Sequence, residues 1–163
     1  MSNLGREIYL VQNPSIGSAI LWNFICGYSV REKNGTPFPL LFIVLPIIFR
    51  QDLCESITST QKKSGLIKVS EKLFHDCKND QLYFVHNAAE QYKQITMQSI
   101  SLGMSAKLFV VNIKTALALP VTVPKKNGAT QSIRYLLDAA DKLGIWCSEL
   151  SLHEISALLK VRF

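Results

Sequence analysis

The stretch Pro37-Phe-Pro-Leu-Leu-Phe-Ile-Val-Leu-Pro-Ile-Ile-Phe49 constrains this chain more than any other. Its thirteen residues carry no charge and no polar side chain, and charge resumes directly after it with Arg50 and Asp52. Such a segment is a membrane anchor, a core element or the buried half of an interface. A spanning helix needs about 20 mostly apolar residues. This run is shorter, Pro46 sits inside it, and the preceding Val30–Thr36 holds three charges. No transmembrane segment is therefore expected. Pro39 can start a helix, and Pro46 would kink it or end its first part. Ile43, Val44, Ile47 and Ile48 are β-branched and admit a strand instead. An all-apolar run has no period to decide between them. The reading adopted is a short, buried helix.

The 163 residues suit one compact domain able to bury a core without metals or disulfides. Charged residues make up only 18% of the chain, against about 25% in an ordinary soluble domain. Low charge beside 48% apolar residues implies a large core or a surface that something else covers. The N-terminus, MSNLGREIYLVQNPS, lacks the basic region, apolar stretch and cleavage site of a signal peptide. A folded start and a cytoplasmic protein are expected. Cys26, Cys54, Cys77 and Cys147 lie far apart with no C-x-x-C pair. They read as buried thiols acting as small hydrophobes. His75 and Cys77 alone are too few for a metal site.

The net charge of +6 is unevenly spread. Between Gln81 and Leu136 stand Lys93, Lys107, Lys114, Lys125, Lys126 and Arg134, with Glu90 as the sole acid. This balance suggests contact with phosphate or with an acidic protein face, or else a solvated basic surface without a partner.

Along the chain, Asn13-Pro14 has the form of a helix N-cap followed by proline at the first helical position. The helix expected from Ser15 to Tyr28 has an apolar arc so wide that it needs covering on more than one side. Lys33-Asn-Gly-Thr36 reads as a turn. Asp52-Leu-Cys-Glu55 has the form of a capping box before a short helix. Thr58–Gly65 reads as a polar loop and Leu66–Phe74 as an amphipathic helix. Leu82–Lys93 and Thr96–Ala106 read as consecutive helices or one broken helix. Val85, Ala88, Ala89, Tyr92, Ile95, Ser99, Leu102 and Ala106 recur there at helical spacing, as a core stripe does. Leu108–Ile113 and Thr115–Val123 read as strands, the second alternating at Leu117, Leu119 and Val121. Pro124–Gly128 is an expected exposed loop. Thr130 caps an expected helix to Leu143 closed by Gly144. Ser151-Leu-His-Glu154 is a capping box opening a helix to about Leu159, and Lys160–Phe163 reads as a short terminal strand.

The expected fold is mainly α (α+β): a compact helical domain with a small β-hairpin. Residues 1–163 form one domain, with an apolar helical part over 1–80 and a basic part over 81–163. Two helices followed by a hairpin make the second part winged-helix-like. No phosphate-binding, dinucleotide, zincin or nucleophile-elbow motif is present. His75, His86 and His153 have no partner set, and Asp138, Asp141 and Lys142 read as one solvated helix face. No active site, cofactor, metal or small-molecule substrate is expected.

The segment Asn13–Tyr28, followed by Pro37-Phe-Pro-Leu-Leu-Phe-Ile-Val-Leu-Pro46, resembles the middle component of bacterial three-component ABC systems. The Thr58–Leu66 loop resembles the same family. So do Ala139-Ala-Asp-Lys-Leu-Gly-Ile-Trp146 and Glu154–Val161, although Lys160 stands where glycine is commoner. Proteins of this kind are similar to the small subunit of Lamassu-type anti-phage systems. The resemblance implies an adaptor that bridges an SMC-like ABC ATPase sensing DNA and a nuclease-type effector from the same operon. An obligate subunit would show a long apolar run, low charge and no active site. The expected interface places Trp22, Phe24, Tyr28, Phe38 and Phe42 against a partner, as aromatic anchors. The competing class is a stand-alone winged-helix-like protein on double-stranded DNA. In it Lys107, Lys114, Lys125, Lys126 and Arg134 would contact phosphates. Both can hold if the subunit adds a basic surface to a DNA channel.

Overall fold

A computed structural model describes residues 13–75, 79–125 and 127–163. Residues 1–12, Cys77 and Lys126, on which the expected folded start, one thiol and one phosphate contact fall, lie outside the described residues. Helix α1, Pro14–Ser29, begins as its first two residues dictate. Asn13 Oδ1 accepts a hydrogen bond from the Ser15 amide at 3.0 Å, and Pro14 occupies the first turn. Its wide apolar arc is covered on several sides: by α7 (Gln131–Cys147), by α6 (Lys93–Ser105) and by the sheet.

The α1–α7 crossing is set by two glycines. A Cβ on Gly27 would lie 2.2 Å from the Asp141 carbonyl oxygen, and one on Gly144 would lie 2.2 Å from the Phe24 carbonyl oxygen. Both obstacles are backbone atoms, so neither can swing aside. Gly144 is thus not the end of its helix, as expected, but an interior contact, and α7 continues three residues further to Cys147. The favourable packing of two backbones outweighs the roughly 1 kcal/mol that a mid-helix glycine costs.

The opening apolar run is a core helix. A single 3-10 turn, Phe38–Leu40, leads into α2, Leu41–Ile48, and every residue of α2 except Phe42 is buried. Pro46 deprives the Phe42 carbonyl of its helical donor. Burial holds the helix in spite of that, each enclosed aliphatic side chain contributing about 1.5–3 kcal/mol. In the following α3, Gln51–Ser59, the expected Asp52–Glu55 capping box does not form. Arg50 is the N-cap, and Asp52 instead accepts from Arg50 Nε at 2.7 Å and from the Leu53 amide at 3.0 Å. Glu55 is taken by Gln51.

The far end of α3 is capped from another helix. Lys142 Nζ donates to the carbonyls of Ile57, Thr58 and Thr60 at 3.2, 3.0 and 3.0 Å. Burial and the nearby Lys62 push its pKa down, yet the convergent carbonyls suit a cation at a helix C-terminus. Lys142 therefore does not belong to a solvated face. One turn on, fully buried Trp146 donates Nε1–H to the Lys62 carbonyl at 2.8 Å. Together these bonds tie α7 to the segment 57–62.

Helices α4 (Gly65–His75), α5 (Asn79–Gln91) and α6 follow. The α5–α6 break falls at Tyr92, whose ring packs 6.1 Å from Phe49. The new start at Lys93 changes the helical phase. The buried line of α6 is Thr96, Ser99, Ile100 and Gly103, while Leu102 and Ala106 of the expected stripe are exposed. The strands β2 (Phe109–Asn112) and β3 (Leu117–Pro120) form the expected hairpin, shorter at both ends than the apolar residues suggested. The expected turn forms at Lys33 and Asn34, with Gly35 at φ 107°, and a third strand, β1 (Thr36–Pro37), begins at its last residue. It pairs with the other side of β3, giving the antiparallel order β1-β3-β2. The fold is thus mainly helical with a small antiparallel sheet.

The last helix, α8 (Leu152–Leu159), carries the expected capping box: Ser151 Oγ accepts from the Glu154 amide, and Glu154 accepts from the Ser151 amide. After it the chain forms no strand. Lys160 takes the left-handed conformation, φ 52°, in which a glycine is at ease. The lysine therefore adopts the glycine geometry rather than altering the turn.

Two outcomes follow. Gly144→Ala, by forcing a Cβ into the Phe24 carbonyl, is expected to destabilise the protein by about 3 kcal/mol, read as a lower urea midpoint. The two hydrogen bonds from Ser151 hold the Glu154 carboxyl below its usual 4.5. A lowered folded pKa contributes stability above the unfolded value and loses it as pH falls through the folded one. The stability gap between wild type and Glu154→Ala should therefore be full above pH 4.5 and close below it, as melts across pH 2–7 would show.

Candidate partner interface

The five aromatic residues expected at an interface do not share a face. Phe24 is fully buried and Tyr28 nearly so, both on the side of α1 that meets the core. Neither has surface to offer a partner. Trp22 is half-buried, and its Nε1–H donates to the Thr122 carbonyl at 2.9 Å. Phe38 and Phe42 are half-buried and pack edge to face at 5.4 Å. The Phe38 amide bonds the Ala116 carbonyl at one end of β3, whereas Trp22 sits at Thr122 beyond the other end. The four residues of β3, Leu117–Pro120, run between those points and alone span roughly 13 Å.

The basic residues are similarly dispersed. Lys107 closes the turn before β2 and Lys114 lies at the hairpin tip. Lys125 follows the exit from β3, at the same end as Lys107, because Pro120 pairs with Phe109. Arg134 is exposed in the first turns of α7. Lys107, Lys114 and Lys125 are all exposed.

The surface that the sequence did not disclose is the outer face of the sheet. Alternation at Leu117, Leu119 and Val121 normally marks the buried side of a strand. Here the inward positions are Ala118 and, on β2, Phe109, both fully buried. The larger alternating residues point outward. Leu117 and Leu119 are half-buried, Val121 is 52% exposed and Val123 80% exposed. Across the hairpin, Val110 stands opposite Leu119 and is 45% exposed, and Ile113 at the tip is 92% exposed. The small Ala118 is inside because α1 runs directly beneath β3. The hairpin thus presents an apolar outer face framed by lysines. From Gln91 to Leu137 the chain contains no Asp or Glu at all.

Among the described residues no group of three His, Cys, Asp or Glu could hold a metal ion. No helix among them is long and apolar enough to cross a membrane. Burial pushes the thiols of Cys54 and Cys147 up to about 12 and that of Cys26 up to about 11, where thiolate is scarce at neutral pH. A void of about 10 Å³ lies among Ile47, Leu53, Ile57, Leu66, Val69, Val85, Leu143 and Leu159. It is apolar and too small for a substrate.

A helical α+β chain whose described residues leave an apolar sheet face partly exposed is thus defined. Residues 1–163 match the family described as ABC-three component (ABC-3C) system Middle Component 3. The chain belongs to this family and so is one component of a multi-component system. Membership fits a non-catalytic adaptor role. No curated protein and no solved structure matches it.

The exposure of the sheet face separates surface from core in a simple test. Val121→Ser and Val123→Ser should each change stability by no more than about 0.5 kcal/mol. Phe24→Ala should cost about 3–5 kcal/mol, as chemical denaturation of the three variants would show.

Proposed function

We propose that this chain is the non-catalytic adaptor of a Lamassu-type anti-phage defence system. In this reading it acts in the cytoplasm as one domain and bridges an SMC-like ABC ATPase that senses DNA and a nuclease-type effector. Membership of the middle-component family over the full length carries the proposal, with the motifs Asn13–Tyr28 and Pro37–Pro46 pointing to the narrower assignment. The exposed Val110, Val121 and Val123, with the half-buried Leu117 and Leu119 beside them, support a bridging role, since an apolar sheet face is covered in a stable assembly. The exposed edges of Trp22, Phe38 and Phe42 are offered as a second contact. The test is co-expression with the neighbouring operon products, then affinity purification and size-exclusion chromatography. Co-elution with a large ABC ATPase is expected; elution as a lone monomer would overturn the adaptor role.

One observation favours a second reading, duplex DNA binding: six basic residues and no acid stand between Glu90 and Asp138. Its signature is affinity that falls steeply as salt rises. Titration of labelled duplex DNA at 50 and 200 mM salt tests it: absence of salt-sensitive binding overturns the DNA reading and leaves the adaptor reading standing.

A further inference from the structure

Among the described residues the sheet has an open edge. In the order β1-β3-β2, strand β2 has a neighbour among them on one side alone. The hydrogen-bond phase of the hairpin says which groups face outward. The Val121 amide donates to the Leu108 carbonyl at 2.9 Å, which makes that pair a bonded one. In an antiparallel ladder bonded and non-bonded pairs alternate. Val110 and Asn112, opposite Leu119 and Leu117, therefore direct their N–H and C=O groups at β3. Phe109 and Val111 direct theirs away from the sheet. Asn112 fixes the end of the strand, its Oδ1 accepting from the Lys114 and Thr115 amides at 3.0 and 3.3 Å.

We propose that the β2 edge receives an extended, acidic segment of another component of the same system as a fourth strand. This inference rests on the adaptor reading and names the contact through which it acts. Outward N–H and C=O groups at strand spacing call for a polypeptide backbone, which neither duplex DNA nor a lipid surface supplies. The charge identifies the kind of strand. Lys107 and Lys114 bracket β2, and no acid lies on the chain from Gln91 to Leu137. A second copy of this chain is a poor occupant: edge-to-edge antiparallel pairing about Val111 would set Lys107 of each copy beside Lys114 of the other. An incoming strand with Asp or Glu at its ends and apolar residues between them meets both lysines. Its outward-facing apolar side chains also extend the surface of Val110 and Leu119.

The test uses the full chain co-expressed with the other two components. Val111→Pro removes an outward amide and spares the ladder bonds of the hairpin, so the chain should stay folded, its melting temperature lowered by the lost Val111 packing, while affinity for the complex falls at least tenfold, and Val111→Ala, which loses that packing but keeps the amide, should bind as wild type. Lys107→Glu with Lys114→Glu should weaken the complex at least tenfold at 50 mM salt, and the gap should shrink at 500 mM. In the wild-type complex, hydrogen exchange at the Val111 amide should slow at least tenfold; this readout needs no variant to fold. Wild-type affinity in a folded Val111→Pro variant, or unprotected exchange at Val111, overturns the strand addition and leaves the adaptor role standing. Unchanged binding by the double charge reversal overturns the acidic partner. A variant that alters only self-association transfers the edge to a second copy. Failure of the wild-type chain to form any complex overturns the adaptor role, and this inference with it.

Discussion

The close approach of α1 and α7 is the contact on which the rest of the structure depends. Gly27 and Gly144 face each other's helix across a gap that no side chain can enter. That contact buries the side of α1 bearing Phe24 and Tyr28 and aligns α7 so that Lys142 and Trp146 reach the segment 57–62. The N-terminal half of α1 is equally tight. A Cβ on Gly17 would collide with Ser99, and one on Gly103 with the Phe109 ring and Ser18. Small residues here replace the interlocking of large side chains. The arrangement carries a cost: the hydroxyls of Ser18, Thr96 and Ser99 are buried with no hydrogen-bond partner among the described residues, each at about 1–3 kcal/mol. Dense contact between backbones offsets it.

The parts of the fold legible in the sequence are those governed by local chemistry. Asn13-Pro14, Thr130 and Ser151–Glu154 begin helices because their side chains satisfy the orphan amides next to them. The hairpin was legible from its alternation. What escaped depends on distant partners. The Asp52 box failed because Arg50 lies within reach of the same carboxylate. Gly144 read as a terminus because nothing local announces that another helix passes over it. Strand β1 has two residues and takes its identity from Ala118 and Leu117. Lys142 read as surface because the three carbonyls it binds lie more than eighty residues away.

The candidate interface was legible only in its charge. The acid-poor stretch is plain in the sequence, and the lysines around the hairpin are where it ends up. Of the aromatic residues expected there, Phe24 and Tyr28 are buried for a physical reason. Large aromatic side chains next to a long apolar run are as well suited to a core as to an interface, and α1 turns Phe24 and Tyr28 to the core. Conversely, alternation says that a strand has two unlike faces but not which one is inside. The tight seat of α1 under β3 admits Ala118 and leaves the larger Leu117, Leu119 and Val121 outside.

The hairpin is also fastened in a way that suits binding. Phe109 anchors β2 from beneath, packed against Gly103 of α6. Trp22 and Cys26 of α1 both direct donors at the Thr122 carbonyl, at 2.9 and 3.6 Å, which holds the exit of β3. Phe38 holds its entry through Ala116, which itself takes a left-handed conformation. A loop this free of acids would otherwise be pushed apart by its own lysines. Fixed at both ends and from below, the edge and face are ordered before any partner arrives, so little conformational entropy is left to lose on association. The same lysines that disfavour pairing between copies leave the edge open to a strand of opposite charge. The fastening of the hairpin and the exposure of its face therefore trace to one arrangement: α1 lies so close beneath β3 that Ala118 fits inside, and the larger Leu117, Leu119 and Val121 are left on the outer face.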